Sequence, residues 1–139
     1  MKIMGIDLGK ARTGIAISDI TESFAFPNCV ITEYNENKMV IKVCEKIKEL
    51  SPDMLVVGLP KNMDGSEGFR AEECRAVAAK IAENSGKEVV LWDERCTTVS
   101  AHTVLNMNDT RGKKRKETVD AVAAVMILED YLRFRKNKK

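Results

Sequence analysis

Ile3-Met4-Gly5-Ile6-Asp7-Leu8-Gly9-Lys10-Ala11-Arg12-Thr13-Gly14-Ile15-Ala16-Ile17-Ser18 holds two short β-rich runs on either side of a polar turn. Lys2–Asp7 reads as one strand and Gly14–Ser18 as the next, with Leu8–Thr13 as the hairpin between them. A third strand fits Asn28–Thr32. Strands joined by such short turns should pair antiparallel.

Beyond this unit the hydrophobic period changes. In Glu36–Leu50, residues Val40, Val43, Cys44, Ile47 and Leu50 fall on one helical face, and Ser51-Pro52-Asp53 ends the helix. Met54–Gly58 is continuously apolar, as a central strand covered on both faces should be. Asn62–Gly68 is rich in turn formers and opens a helix over about Phe69–Asn84, with Ser85-Gly86 as a left-handed cap. Val89–Trp92 is the last clear strand. Thr97–Met107 reads as a helix with Thr97 or Thr98 as its N-cap, Asn108–Lys116 as a polar loop, and Glu117–Phe134 as a long C-terminal helix. The order β-β-β-α-β-α-β-α-α implies an α/β fold. Three antiparallel strands and parallel strands added through right-handed crossovers form one mixed five-stranded sheet, with helices on both faces. The 139 residues suit a single domain, 1–139, ending in a basic tail at about 133–139.

Composition narrows the function. The chain is 44% hydrophobic and poor in aromatics, which disfavours recognition by bases stacked on an aromatic sheet face. Cys29, Cys44, Cys74 and Cys96 show no C-x-x-C spacing, and His102 is the only histidine, so reduced thiols are expected rather than a zinc site or a disulfide framework. Met1 leads almost directly into the first strand, leaving no room for a signal peptide, and the longest apolar run, Met54–Pro60, is far too short to span a bilayer. A cytoplasmic protein without a membrane partner is expected. The net charge of +2 is unevenly spread: Arg111–Lys116 and Arg133–Lys139 hold five basic residues each and no acidic one. They leave 13 basic against all 21 acidic residues elsewhere, a net of −8, which suggests a directed grip on a polyanion.

The chemistry should sit where the parallel strands end. Asp7 ends the first strand, Gly58-Leu59-Pro60 the fourth and Asp93-Glu94 the fifth, and Asp120 joins them if the start of the last helix packs at that edge. Asp93 and Glu94 fall on opposite faces of a strand, and spacing alone does not choose between them. Carboxylates gathered at one edge cannot all stay ionised without a cation, and oxygen-only ligands select a hard ion, Mg²⁺ or Mn²⁺. Such ions activate water and stabilise the leaving oxygen in phosphodiester cleavage. The Gly9–Gly14 turn would let backbone approach a phosphate while Lys10 or Arg12 supplies charge. Asn62 or Ser66 could bind nucleic-acid backbone from the next loop, although tight-turn geometry explains both equally. Arg95 would support Glu94 or contact phosphate, and Lys113, Lys114 and Arg115 would hold further phosphates. His102 reads as a packed or surface residue rather than a general base.

Four spaced segments carry a resemblance: Gly5–Asp19 (GIDLGKARTGIAISD), Val57–Gly68 (VGLPKNMDGSEG), Asp93–Thr98 (DERCTT) and Lys116–Ala124 (KETVDAVAA). In order and over essentially the whole chain, they resemble the signatures of the YqgF (RuvX-like) family, RNase H-like proteins described as pre-16S rRNA nucleases or Holliday-junction resolvase homologues. The resemblance implies an RNase H-like fold with an acidic, metal-holding triad on Asp7, Glu94 and Asp120, favouring Glu94 over Asp93. Related resolvases place a fourth carboxylate one turn beyond the helix Asp, where this chain has Ala123; three carboxylates suffice, or Glu117 contributes. The implied activity is a metal-dependent endonuclease processing the 5′ end of precursor 16S rRNA. The alternatives are a resolvase acting on branched DNA and a non-catalytic RNA-binding assembly factor. Either a monomer or a homodimer is compatible with the sequence. Gly5-Ile6-Asp7-Leu8-Gly9 also resembles the phosphate loop of the actin, Hsp70 and sugar-kinase ATPases, but those proteins need a second such domain, which 139 residues cannot supply.

Overall fold

The structure, a computed structural model, describes residues 1–9, 11–60, 68–93 and 112–138, with 112–120 and 138 described by backbone alone. Strands β1 (Ile3–Asp7), β2 (Arg12–Ser18) and β3 (Ala25–Thr32) are followed by helix α1 (Glu36–Leu50) and strand β4 (Met54–Leu59). Helix α2 (Phe69–Ser85), strand β5 (Glu88–Asp93) and helix α3 (Gly112–Lys138) complete the described elements. The five strands form one sheet in the order β3-β2-β1-β4-β5. β2 runs antiparallel to both β1 and β3, whereas β4 runs parallel to both β1 and β5. The mixed sheet expected from the element order is therefore the one observed.

Side-chain alternation divides the core in two. Met4, Ile6, Leu55, Val57 and Leu59 face α1 and α2, burying Val43, Ile47, Cys74 and Ile81 of those helices. Ile3, Ala16, Met54 and Val56 face the other way, against Ala124, Ile127, Leu128 and Tyr131 of α3. β4 is buried along its whole length because it is covered on both sides, which explains its unbroken apolar run. The expected helix ends are present, together with an N-cap that the sequence reading did not name. Asn35 accepts from the Lys38 N–H at 3.0 Å at the start of α1. Ser51, in the left-handed region, ends that helix, and Gly86 at φ 70° ends α2.

Several element ends differ from the sequence reading by one or two residues, β2 for example beginning at Arg12 rather than Gly14, and three differences are larger. β3 begins at Ala25 rather than Asn28: it is an edge strand, so Pro27 costs no ladder bond, and a register shift against Ile15 and Ala16 absorbs Asn28. Arg111–Lys116 reads as part of a loop, yet residues 112–116 form the first turns of α3. Cations at a helix N-terminus oppose its dipole, at a cost of about 0.3–1 kcal/mol each, so local charge preference argues for a later start. The basic segment at 133–139, expected as a tail, continues the same helix as far as Lys138. The helix expected over Thr97–Met107 lies outside the described residues.

None of the three described cysteines is in a disulfide; Cys74 is buried, and burial raises the thiol pKa of the half-buried Cys29 and Cys44. Among the described residues, no helix is long and apolar enough to cross a membrane.

Candidate active site

Asp7 is the half-buried last residue of β1, at the carboxyl edge where β4 and β5 also end. Its parity is that of Ile3 and Gly5, so it belongs to the face crossed by α3. Across the antiparallel ladder its partner is Gly14. On the parallel side β1 and β4 are in register through Ile6 and Val57, which brings Gly58 alongside Asp7. Both neighbouring strands thus present glycine beside the carboxylate, and neither puts a side chain there. From sequence alone Gly14 and Gly58 read as turn and strand-end residues, because the pairing that makes them neighbours of Asp7 is not visible in one dimension.

Gly5 brings the helix in. A Cβ at this position would lie 2.9 Å from the Leu128 Cβ and 3.0 Å from the Ala124 carbonyl oxygen, so α3 rests directly on the β1 backbone. The helix direction follows from its other end. Arg135 donates through Nε to Glu22 at 2.6 Å, and Glu22 lies in the β2–β3 turn at the amino end of β1. From Gly5, α3 therefore runs back toward the carboxyl edge as its numbering falls. Asp120 occupies the helix position one turn before Ala124, on the stripe that continues through Ile127, Leu128 and Tyr131. Asp7 and the Asp120 position thus lie on the same side of the Gly5 contact, toward the same edge.

β5 resolves the ambiguity between its two terminal acids on one side. Val89 and Leu91 pack toward α1 and α2, whereas Val90 and Trp92 pack toward α3. Asp93 has the parity of Leu91 and is paired with Leu59, so it belongs to the face opposite Asp7. Trp92 anchors β5 to the helix: its Nε1–H donates to the Asp130 carboxylate at 2.7 Å, and its ring meets Tyr131 edge-on at 5.2 Å. Arg12, the first residue of β2, shares the parity of Gly14 and Ala16 and stands on the Asp7 face at the same edge.

The hairpin after Asp7 is held by three observed contacts. Leu8 is buried in the α1/α2 core. A Cβ on Gly9 would lie 2.2 Å from the Arg12 carbonyl oxygen, so this glycine is required by the turn itself. The Glu33 N–H donates to the Ala11 carbonyl at 2.8 Å. A further contact is not foreseen from sequence: Arg70, in the first turn of α2, donates through Nη2 to the Leu8 carbonyl at 2.7 Å. Its only signal is its position immediately after the turn-rich segment, and a partner 62 residues away cannot be read from spacing.

Lys10, Asn62, Ser66, Glu94 and Arg95 lie outside the described residues. Lys113, Lys114, Arg115, Glu117 and Asp120 are placed on α3 by backbone alone. Among the described residues no three His, Cys, Asp or Glu side chains gather; of the expected triad, only the Asp7 side chain is described.

The sheet order, the acidic strand end and the crossing helix define a class, the RNase H-like resolvase fold. RuvC of T. thermophilus in complex with a Holliday junction substrate superimposes with a TM-score of 0.64 at 15% identity, covering 99% of this chain and 96% of that one. The Fowlpox virus resolvase, in complex with Holliday junction DNA, does so with a TM-score of 0.62 at 13% identity, covering 97% and 99%. Residues 1–134 match the RuvX family, described as Holliday junction resolvase, and the chain belongs to that family. A Bacillus cytotoxicus relative named "Putative pre-16S rRNA nuclease" is 41% identical over 135 residues, covering 95% of this chain and 98% of its own.

Proposed function

We propose that this chain is a single-domain, cytoplasmic, metal-dependent endonuclease whose substrate is the 5′ end of precursor 16S rRNA. The observation that carries the proposal is Asp7 at the end of β1, flanked by Gly14 and Gly58, on the face where α3 brings the Asp120 position to the same edge. Asp93 falls on the face opposite Asp7, which favours its chain neighbour Glu94 as the second carboxylate of the proposed set. The proposed ligands are therefore Asp7, Glu94 and Asp120. Their chemistry fits a hard cation: three carboxylates, no imidazole and no thiolate suit Mg²⁺ or Mn²⁺. When bound, such a cation would activate a water and offset the charge on the leaving oxygen. Arg12 stands on the same face to meet a phosphate. The fourfold basic run at the start of α3 adds to the positive pole of the helix, a combination unfavourable for the free helix but favourable toward a polyanion. Lys10, Asn62, Ser66 and Arg95 are proposed as further backbone contacts from the segments flanking the site.

The relative's name supports RNA, whereas the junction complexes of the structural neighbours favour branched DNA as the second reading. A cleavage assay that offers precursor 16S rRNA ends and four-way DNA junctions side by side separates the two. Precursor RNA should be cut with Mg²⁺ or Mn²⁺, while Ca²⁺, with longer and looser coordination, should support binding with little cleavage. Full activity in excess chelator would overturn the metal assignment. Preferential cutting of the junction would transfer the substrate to DNA.

A further inference from the structure

Arg70 joins the two parts of the molecule that frame the edge. It lies in the first turn of α2, directly after the turn-rich 61–68 segment, and its guanidinium reaches back across the sheet edge to the main chain of the β1–β2 hairpin. The acceptor is the carbonyl of Leu8, the residue that follows Asp7. The adjoining strand β4 ends at Leu59-Pro60, and Pro60 has no N–H to offer a neighbouring carbonyl. The bond is charge-assisted, part-buried and 2.7 Å long, so it ranks among the stronger hydrogen bonds a main-chain carbonyl can accept. Glu73, one turn along α2, brings its Oε1 to 3.8 Å from the guanidinium; that oxygen is buried and makes no hydrogen bond of its own.

The rest of the hairpin concentrates the effect. Leu8 is anchored by its buried side chain, and Gly9 lies so close to the Arg12 carbonyl that a side chain there would collide with it. The Leu8 carbonyl is therefore the point through which α2 sets the backbone that leaves Asp7. We propose that Arg70 is a positioning residue for Asp7: it approaches from the face opposite the carboxylate and fixes the hairpin whose first residue follows that carboxylate. It touches neither substrate nor cation in this role. This inference rests on Asp7 being a metal-holding carboxylate. Outer contacts that orient metal-holding groups typically cost about 10–100-fold in metal affinity or activity when removed.

The test compares Arg70→Ala and Arg70→Lys in the full chain, with two readouts. In metal-free protein, amide hydrogen exchange at Gly9–Arg12 should rise about tenfold or more in Arg70→Ala, while exchange in the cores of β4 and α2 is unchanged. Arg70→Lys, which can still donate to one carbonyl, should restore most of the protection. With metal present, Mn²⁺ affinity and kcat should each fall by about 10–100-fold in Arg70→Ala, with KM for nucleic acid held near wild type. Unchanged exchange at the hairpin would overturn the proposal whatever happens to cleavage. A raised KM with unchanged kcat would make Arg70 a nucleic-acid contact and overturn it equally. Failure of the nuclease reading would show separately, as wild-type protein that neither binds Mn²⁺ nor cuts, whatever the hairpin exchange.

Discussion

The two faces of the sheet are built on different plans. Toward α1 and α2 the sheet meets two helices through large side chains, with Met4, Ile6, Leu55, Val57 and Leu59 packed on Val43, Ile47, Val77 and Ile81. Toward α3 it meets, among the described residues, one helix, and at the crossing point the sheet supplies a glycine, so helix and strand approach backbone to backbone. Both faces bury apolar volume, but the α3 face adds the close crossing at Gly5. The difference matters at the carboxyl edge, because Asp7 and the Asp120 position belong to the close-contact face. A small displacement of α3 changes the relation between two proposed ligands, whereas a cavity on the other face lowers stability without moving them. Among the described residues, the α1/α2 face reaches the residue after Asp7 through the buried Leu8 side chain and the Leu8 carbonyl.

Substitutions can break this contrast, beginning with the largest expected effect. Asp7→Asn keeps the shape but removes the charge; it should reduce metal-dependent cleavage at least about 10²-fold in a steady-state assay while leaving the melting curve in place. Wild-type turnover in a folded variant would end the case for the close-contact face. Ile81→Val on the α1/α2 face should do the reverse, costing roughly 0.5–1.5 kcal/mol in denaturant unfolding with kcat kept near wild type. Gly5→Ala joins both effects. The added methyl meets the Leu128 Cβ and the Ala124 carbonyl rather than a flexible side-chain tip, so α3 has to shift. The expected cost is about 1–3 kcal/mol of stability, accompanied by a loss of kcat that the Ile81 variant does not show.

Replacing Lys113, Lys114 and Arg115 together with Ala should weaken nucleic-acid binding and flatten its salt dependence, by roughly 0.7–0.9 log–log units for each phosphate that is no longer neutralised. Helix content should not fall, since removing cations from the start of α3 relieves its dipole. An unchanged salt slope would leave these residues as solvated surface. The smallest effect belongs to the far end of α3. Glu22 is held below its ordinary value of 4.5, chiefly by the hydrogen bond from Arg135. Because the folded-state value is the lower one, its contribution is fully present above about pH 4.5 and fades as pH falls through the folded value. Wild type should therefore exceed Glu22→Gln by at most about 1 kcal/mol at neutral pH, and chemical unfolding should show that gap closing below about pH 4.5.

Much of this is legible in the sequence, and the exceptions have causes. The hairpin, the fully covered β4, the Asn35, Ser51 and Gly86 boundaries and the mixed sheet all follow from period and turn chemistry, which are local. The start of α3 is misread because its local charges oppose a helix, and only the packing of the helix on the sheet outweighs them. Within the site, Asp7 can be named from its position at a strand end and Arg12 from its place in the turn that follows. The roles of Gly14 and Gly58 as the open flanks of Asp7, and the reach of Arg70 to Leu8, depend on strand register and on contacts between distant residues. Alternation leaves Asp93 and Glu94 as alternatives; the packing of Trp92 on α3 assigns Asp93 to the far face.

That last assignment gives the central claim its sharpest test. If the metal-holding carboxylates belong to the α3 face, Asp93 at the end of β5 and its chain neighbour Glu94 must differ in effect. Asp93→Asn and Glu94→Gln should be compared for Mn²⁺ affinity and for the rate of precursor rRNA cleavage under single-turnover conditions. The account predicts Asp93→Asn close to wild type in both and Glu94→Gln without detectable cleavage and with Mn²⁺ binding weakened at least about tenfold. Loss of both activities in Asp93→Asn, with Glu94→Gln unaffected, would place the site on the opposite face and contradict the account.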